Sequence, residues 1–310
     1  MTAVRVEKVA TLQGHRDCLY TLAAGPEPAR CFTAGGDGMI VDWDLRRPDQ
    51  GRLLAQLPAS CYALHYRPDR DLLLAGQNFD GLHAFRVADQ TEVKSVRIEG
   101  AGEKGPALFD VQSVGDEVYV ATGDGQLLLL DLATLTVRHR VRPTSQSARC
   151  VALHPTRPEL AVGYSDWKVR IFHRPTLRPL LTLDAHQNSV FTVAYDPTGE
   201  HLLTAGRDAR LKRWRVGEGY GLTDEVVAHM YAVNHVAFSP DGRHFATGSM
   251  DKSVKVWDAA TFRLLKVIDK ARHAGHGTSV NKLLWTDHAQ QLLSASDDRR
   301  VSVWQLDFLL

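Results

Sequence analysis

Residues 229–257 read HMYAVNHVAFSPDGRHFATGSMDKSVKVW, and a spacing is visible within them. His229 is followed by Thr247 eighteen residues later, by Asp251 at twenty-two and by Trp257 at twenty-eight. Between these marks lie three short runs, VNHVAF, HFATGS and VKVW, separated by SPDG and MDKS. Runs rich in β-branched and aromatic residues read as strands. In SPDG the Pro fixes φ and the Gly accepts a positive φ, so the chain turns there. The stretch therefore predicts consecutive strands joined by tight turns.

The same quartet recurs three more times at identical spacing: His15, Thr33, Asp37, Trp43; His186, Thr204, Asp208, Trp214; and His276, Ser294, Asp298, Trp304. Asp80, Asp124 and Asp166 fill the gap between the first two quartets, giving an Asp ladder with steps of 43, 44, 42, 42, 43 and 47 residues. Seven units result. A period of about 40 to 45 residues, with Gly-His near one end and Trp-Asp near the other, marks a four-stranded propeller blade. The predicted fold is all-β: a seven-bladed β-propeller of four-stranded antiparallel blades, one domain over residues 1–310, with helix content near zero.

Units two, three and four depart from the pattern. Their His slot falls on Pro58, Gly102 and Thr144, their Ser/Thr slot on Gly76, Val120 and Val162, and their Trp slot on Phe85, Leu130 and Phe172. Phe85 lies only five residues after Asp80, which leaves the register of unit two open by one residue. These three blades are expected to be held by apolar packing alone. The last unit has no fourth strand after Trp304, while residues 5–12 form an unmatched strand before the first Gly-His, so the amino-terminal strand should close the seventh blade and remove exposed sheet edges.

Gly14-His15, Trp43-Asp44 and Trp257-Asp258, together with the constant spacing, resemble the WD-repeat family over essentially the whole chain. The resemblance implies a hydrogen-bonded network in each complete blade, Asp to His, His to Ser or Thr, and Ser or Thr to Trp. Such closure is physically sensible, because buried polar groups need partners. The resemblance also implies that the face carrying the Gly-His loops and Asp turns binds partners.

Composition agrees with a soluble globular chain: 44% hydrophobic and 24% charged residues. Thirty-seven Lys and Arg against thirty-six Asp and Glu leave a formal charge of +1, so no long-range field favours nucleic acid or an anionic membrane. MTAVRVEKVATL lacks the apolar run of a signal peptide and no stretch is long enough to span a bilayer, from which a cytoplasmic, non-membrane protein is expected. Cys18, Cys31, Cys61 and Cys150 show no CxxC spacing and read as buried free thiols.

Motifs with a chemical look have simpler readings. Four Ser/Thr-His-Asp sets would be strange for an enzyme, whose site is a single pocket geometry. Gly100, Gly102 and Gly105 match GxGxxG, but Pro106 and a strand follow where a helix should receive a pyrophosphate. Asp269, His273 and His276 lack a further ligand at zinc-like spacing, so neither metal nor cofactor is expected. Arg207, Arg210, Lys212, Arg213 and Arg215, with Arg138, Arg140 and Arg142, make a basic stretch that alternates between strand faces and reads as a solvated rim. Arg213 and Asp42 sit where other blades carry Val256 and Val303, and spacing alone offers no account of them.

Carried over by spacing, the residues five after each His are Tyr20, Phe191, Asn234 and Asn281. Matching Pro68 and Pro155 to Pro240 adds Tyr62 and Arg149, with Asp110 for unit three. The residues preceding each ladder Asp add Phe79, Arg207 and Met250 to the same face. Aromatics with Arg are the mix enriched at binding hot spots, although some of these rings could instead fill core. Trp285 reads as core and Trp167 as exposed. The expected function is a non-catalytic scaffold, monomeric by itself, that binds another protein or peptide on this face. The alternative is an enzyme or small-ligand site in the channel, where Asp110, Asp297, Asn234 and Asn281 are the available polar groups; nucleic-acid binding at the blade-five edge ranks below both.

Overall fold

The computed structural model describes residues 3–100 and 104–309, so Gly102 lies outside the described residues. Seven four-stranded antiparallel sheets form the molecule. Their innermost strands are Leu19–Ala24, Cys61–Arg67, Leu108–Val114, Ala148–Leu153, Val190–Tyr195, Val233–Phe238 and Val280–Trp285. The second strand of each blade is almost wholly buried, as in Leu72–Gln77 and His201–Gly206, whereas the outermost strands are open to solvent, as in Thr91–Val96. Among the described residues, helix is confined to a 3₁₀ turn at Val216–Glu218 and one turn at Lys270–His273.

The core is a ring of seams. Each apolar cluster straddles two neighbouring blades: Tyr119 and Leu129 of blade three pack with Leu160 and Phe172 of blade four, and Leu293 and Val303 of blade seven pack with Leu22 and Trp43 of blade one. A blade therefore buries its faces only against its neighbours, and the ring must close. Closure is by the first strand, Ala3–Gln13, which pairs antiparallel with Arg300–Leu309 from Ala3↔Leu309 to Gln13↔Arg300. The insertion before blade seven packs beside this closure. Asp269 caps its helical turn, and Lys8 Nζ donates to the carbonyl of Ala274 at 3.0 Å.

The four quartets are assembled as networks. In blade one Trp43 Nε1 donates to Thr33 Oγ1 at 2.9 Å, Thr33 Oγ1 lies 2.7 Å from His15 Nε2, and His15 Nδ1 lies 3.0 Å from Asp37. The matching separations in blade seven are all 2.8 Å. Each network is a chain of hydrogen bonds running from Trp through hydroxyl and imidazole to carboxylate. The Asp is needed for the turn as well: Asp37, Asp208, Asp251 and Asp298 each accept the backbone N–H two residues on. The residue between has a left-handed φ, 70° at Gly38 and 61° at Ala209, which a local Asp hydrogen bond helps to hold.

Two expectations need correction. Strand pairing sets Leu73 opposite Phe85 as it sets Cys31 opposite Trp43, so Phe79, not Asp80, occupies the ladder position of blade two. The Ser/Thr slot accordingly moves from Gly76 to Ala75, and Asn78, not Phe79, precedes the ladder position. The loop is equally long in both blades, and Asp80 is simply its next residue. The second correction concerns blades three and four, which are not held by apolar packing alone. Asp124 pairs with Thr122 Oγ1 at 2.6 Å and Gln126 Nε2 at 2.8 Å, and Asp166 is gripped by both Nη groups of Arg170. Local side chains have replaced the distant histidine.

The structure also accounts for the two charged residues at apolar slots. Asp42, 2% exposed, lies between Arg30 and Arg52, accepting from Arg30 Nε at 3.1 Å and Arg52 Nη2 at 2.8 Å. Arg213 pairs with Asp224 at 2.8 Å, donates to the carbonyl of Ala259 at 2.8 Å and stacks over Phe262, latching blade five to a turn of blade six.

Candidate binding site at the channel mouth

Every innermost strand skips one residue in its pairing near the start: Leu19 and Thr21 pair while Tyr20 does not, and the same irregularity falls at the corresponding place in the other six. A bulge of this kind re-aims a side chain. The residues so presented are Tyr20, Tyr62, Phe109, Arg149, Phe191, Asn234 and Asn281, and these seven line a cavity of about 280 Å³ at the mouth of the channel. Six coincide with the positions carried over by spacing. The exception is blade three, where Phe109 takes the place expected of Asp110. Its match to Tyr20, Tyr62 and Phe191 as an aromatic was the available signal. Asp110 turns one step deeper, where its carboxylate accepts the backbone N–H of Val151 at 2.9 Å across the seam.

The mouth is uneven around the ring. Tyr20 and Tyr62 have ring centroids 5.0 Å apart, Tyr62 and Phe109 5.5 Å, and the Arg149 guanidinium lies 4.5 Å from the Phe109 centroid and 5.5 Å from that of Phe191. One unbroken arc of aromatic rings and guanidinium thus spans blades one to five. Burial, followed by the negative charge that Cys18 and Tyr62 would carry, pushes the Tyr20 hydroxyl up to about 12, so it stays neutral. Blades six and seven differ. Asn234 Nδ2 donates to the carbonyl of Val280 at 2.9 Å, and Asn281 Nδ2 to the carbonyl of Leu19 at 2.8 Å and to Asp297 at 2.6 Å. Those two asparagines are engaged in joining neighbouring blades.

Outside this ring lie the residues of the Asp turns. Arg207 and Met250 are exposed before their ladder Asp, and Phe79 is 47% exposed in the blade-two turn with Lys104 over its ring. Two apolar residues not anticipated stand beside Met250: Met230 at 83% and Tyr231 at 63% exposure. Their signal was their place directly after His229, in the loop before the innermost strand. Trp167 is exposed and Trp285 is buried, as expected.

A cavity of about 370 Å³ shares the seven mouth residues and reaches deeper into the channel, where its lining adds Asp110, Gln112, His235 and Lys282. Burial, then the positive charges of Arg67 and Lys282, depress His65 to about 4, and burial with Lys282 holds His235 well below the ordinary imidazole range. Both are neutral at physiological pH. His235 Nδ1 accepts the Leu283 N–H at 3.3 Å and Thr192 Oγ1 the Val236 N–H at 3.2 Å, so these polar groups stitch adjacent innermost strands.

The remaining motifs are absorbed by the fold. Arg210 and Lys212 pair with Glu225, and Arg138 pairs with Asp131. Asp269 pairs with Arg272, and His276 is spent on Asp298 and Ser294, so that the Asp269, His273 and His276 set does not converge. Cys31, Cys61 and Cys150 are buried free thiols, and Cys18 is half-buried near the mouth. Among the described residues, no helix is long and apolar enough to cross a membrane.

The molecule is a seven-bladed β-propeller, and part of the chain matches a WD-repeat family model. The WD40 family, WD domain, G-beta repeat, is matched at residues 177–215, 222–258 and 269–305, in the half of the chain richest in complete quartets. The fold is similar to that of the WD40 β-propeller domain of Doa1, with a TM-score of 0.83 and 14% identity, over 97% of each chain. Striatin from Mus musculus is 24% identical over 235 residues, which are 69% of this chain and 30% of striatin. A probable cytosolic iron-sulfur protein assembly protein 1 from Aspergillus fumigatus is 29% identical over 192 residues, 61% of this chain and 39% of that protein. The chain thus spans about a third of the length of the curated relatives it matches.

Proposed function

We propose that this propeller is a non-catalytic scaffold that binds a partner protein or peptide at the channel mouth. One observation carries the reading: the arc Tyr20, Tyr62, Phe109, Arg149, Phe191 is half-buried, continuous and open to solvent on a rigid ring. Preorganised aromatic and Arg side chains at the centre of a face are what concentrates binding energy in few residues. Phe79, Arg207 and Met250 extend the surface outward, and the likeness of the chain to a probable cytosolic iron-sulfur protein assembly protein supports a role in assembly. Asn234 and Asn281 contribute chiefly by holding the rim. The test is capture from the native cell with purified protein as bait. Tyr62→Ala with Phe191→Ala should lose the captured partner while the melting temperature stays close to that of the parent. Undiminished capture by a folded double variant sinks the site.

The polar cavity of about 370 Å³ beneath the mouth favours a second reading, a small ligand held by Lys282 and Asp110. Lys282→Met would then abolish ligand-dependent thermal stabilisation and leave partner capture unchanged. The blade-five cations, engaged by Glu225 and Asp224, give nucleic acid less to bind.

A further inference from the structure

Arg149 stands out at the mouth by what it does not touch. Its Nε donates to Ser165 Oγ at 3.0 Å, and among the described residues no other hydrogen bond and no ion pair is formed by this side chain. A guanidinium has five N–H donors, so four are unspent. The Phe109 and Phe191 rings shield it from the blades on either side. Burial, and with it the like charge of Arg207, works against its protonated form. The carboxylates of the mouth and of the cavity it opens into are engaged elsewhere: Asp297 accepts from Asn281 at 2.6 Å, Asp17 from the Cys18 N–H at 2.7 Å and Asp110 from the Val151 N–H at 2.9 Å.

We infer that the mouth recognises an acidic peptide segment, with an Asp or Glu side chain of the partner seated bidentate on Arg149 and a neighbouring apolar residue on the Tyr20–Tyr62 rings. The inference rests on the proposed partner-binding role of this face and specifies its chemistry. A half-buried cation without a counter-ion is electrostatically complementary to a carboxylate brought by another chain, and the planar fork matches that group in shape. A phosphoryl dianion would call for a second anchored cation, and Arg207 is exposed and not packed by an aromatic ring. The partner chemistry is therefore a carboxylate.

The experiment is selection of a phage-displayed library of random dodecapeptides on the purified full-length chain, followed by binding of the synthetic consensus peptide. The expected consensus holds one invariant Asp or Glu beside an aromatic or aliphatic residue. Replacing that acid by Gln or Asn should weaken binding roughly tenfold or more, and Arg149→Gln should do the same to the parent peptide while removing the difference between the two peptides. Peptides without an acidic position that still lose binding to Tyr62→Ala would overturn the carboxylate and keep the mouth as the site. Peptides indifferent to Tyr62→Ala, or no enrichment at all, overturn both. A phosphoserine version that binds ten times more tightly than the acidic peptide overturns the choice of carboxylate.

Discussion

Arg170 holds Asp166 through two N–H···O bonds, of 3.0 and 2.6 Å, at the turn where four other blades use a histidine from twenty-two residues upstream. The same guanidinium stacks 4.6 Å from the Tyr164 ring. Burial opposes ionisation of Asp166, and the Arg170 hydrogen bonds outweigh it, leaving the carboxyl below the usual range. Arg170→Met should therefore cost blade four about 1–3 kcal/mol, because a partly buried carboxylate loses its partner. Urea unfolding reads this directly, and a loss within error would show that the Asp166 turn needs no counter-ion.

The quartets permit a sharper test. Thr247→Val in blade six removes the oxygen that lies 2.7 Å from His229 Nε2 and 3.0 Å from Trp257 Nε1. Two buried ring nitrogens are orphaned at once, for a loss of about 2–4 kcal/mol. Adding Trp257→Phe removes one of them, so its further effect should fall short of that of Trp257→Phe alone. Strict additivity in a double-mutant cycle would argue against a connected network.

Stability should fall on mild acidification. His65 is depressed to about 4, chiefly by burial, and His15, His229 and His235 are lowered for the same leading reason. The unfolded chain takes up these protons below about pH 6.5 and the folded chain does not, so unfolding is favoured as pH drops. His65 alone accounts for about 2 kcal/mol between pH 7.5 and pH 5. Asp208, Asp251 and Asp298 are held low by their histidine hydrogen bonds against the effect of burial, and their contribution is present above about pH 4 and lost below it. Chemical denaturation from pH 8 to 2 should show both windows, and His65→Gln should flatten the first.

Asp42→Val installs the residue type found at this slot in blades six and seven but strands Arg30 and Arg52. A loss of about 1–3 kcal/mol is expected, much of it restored by adding Arg30→Met. If the double variant is no more stable than the single, the carboxylate serves something other than this pair.

Removal of residues 1–12 should lower the melting temperature by many degrees, since it strips the outer strand from blade seven and uncovers Leu306 and Trp304. An unchanged transition would count against closure of the ring by this strand.

Much of this molecule was legible from spacing. Blades recur because each is the same supersecondary unit, so the constant separation of His, Thr, Asp and Trp located four networks and the closing strand without any coordinates. Four of the seven mouth residues follow from the same counting, and Tyr62 and Arg149 from aligning Pro68 and Pro155 with Pro240. The register of blade two is open by one residue in the sequence because Phe79 stands where the other blades carry a ladder Asp and Asp80 follows immediately; strand pairing decides it. Phe109 was missed for a related reason: blade three lacks both the His and the Pro from which to count.

What the sequence determined by itself was the architecture, since period, turn chemistry and strand alternation are local properties that repeat. Only the tertiary structure decided how the exceptions are satisfied. Arg30 and Arg52 on Asp42, Arg213 on the carbonyl of Ala259, and the seating of Arg149 among the rings of Phe109 and Phe191 are contacts between strands or between blades. Such partners are selected by position in the closed ring, where charge, packing and hydrogen-bond geometry act across the chain, and no spacing along it specifies them.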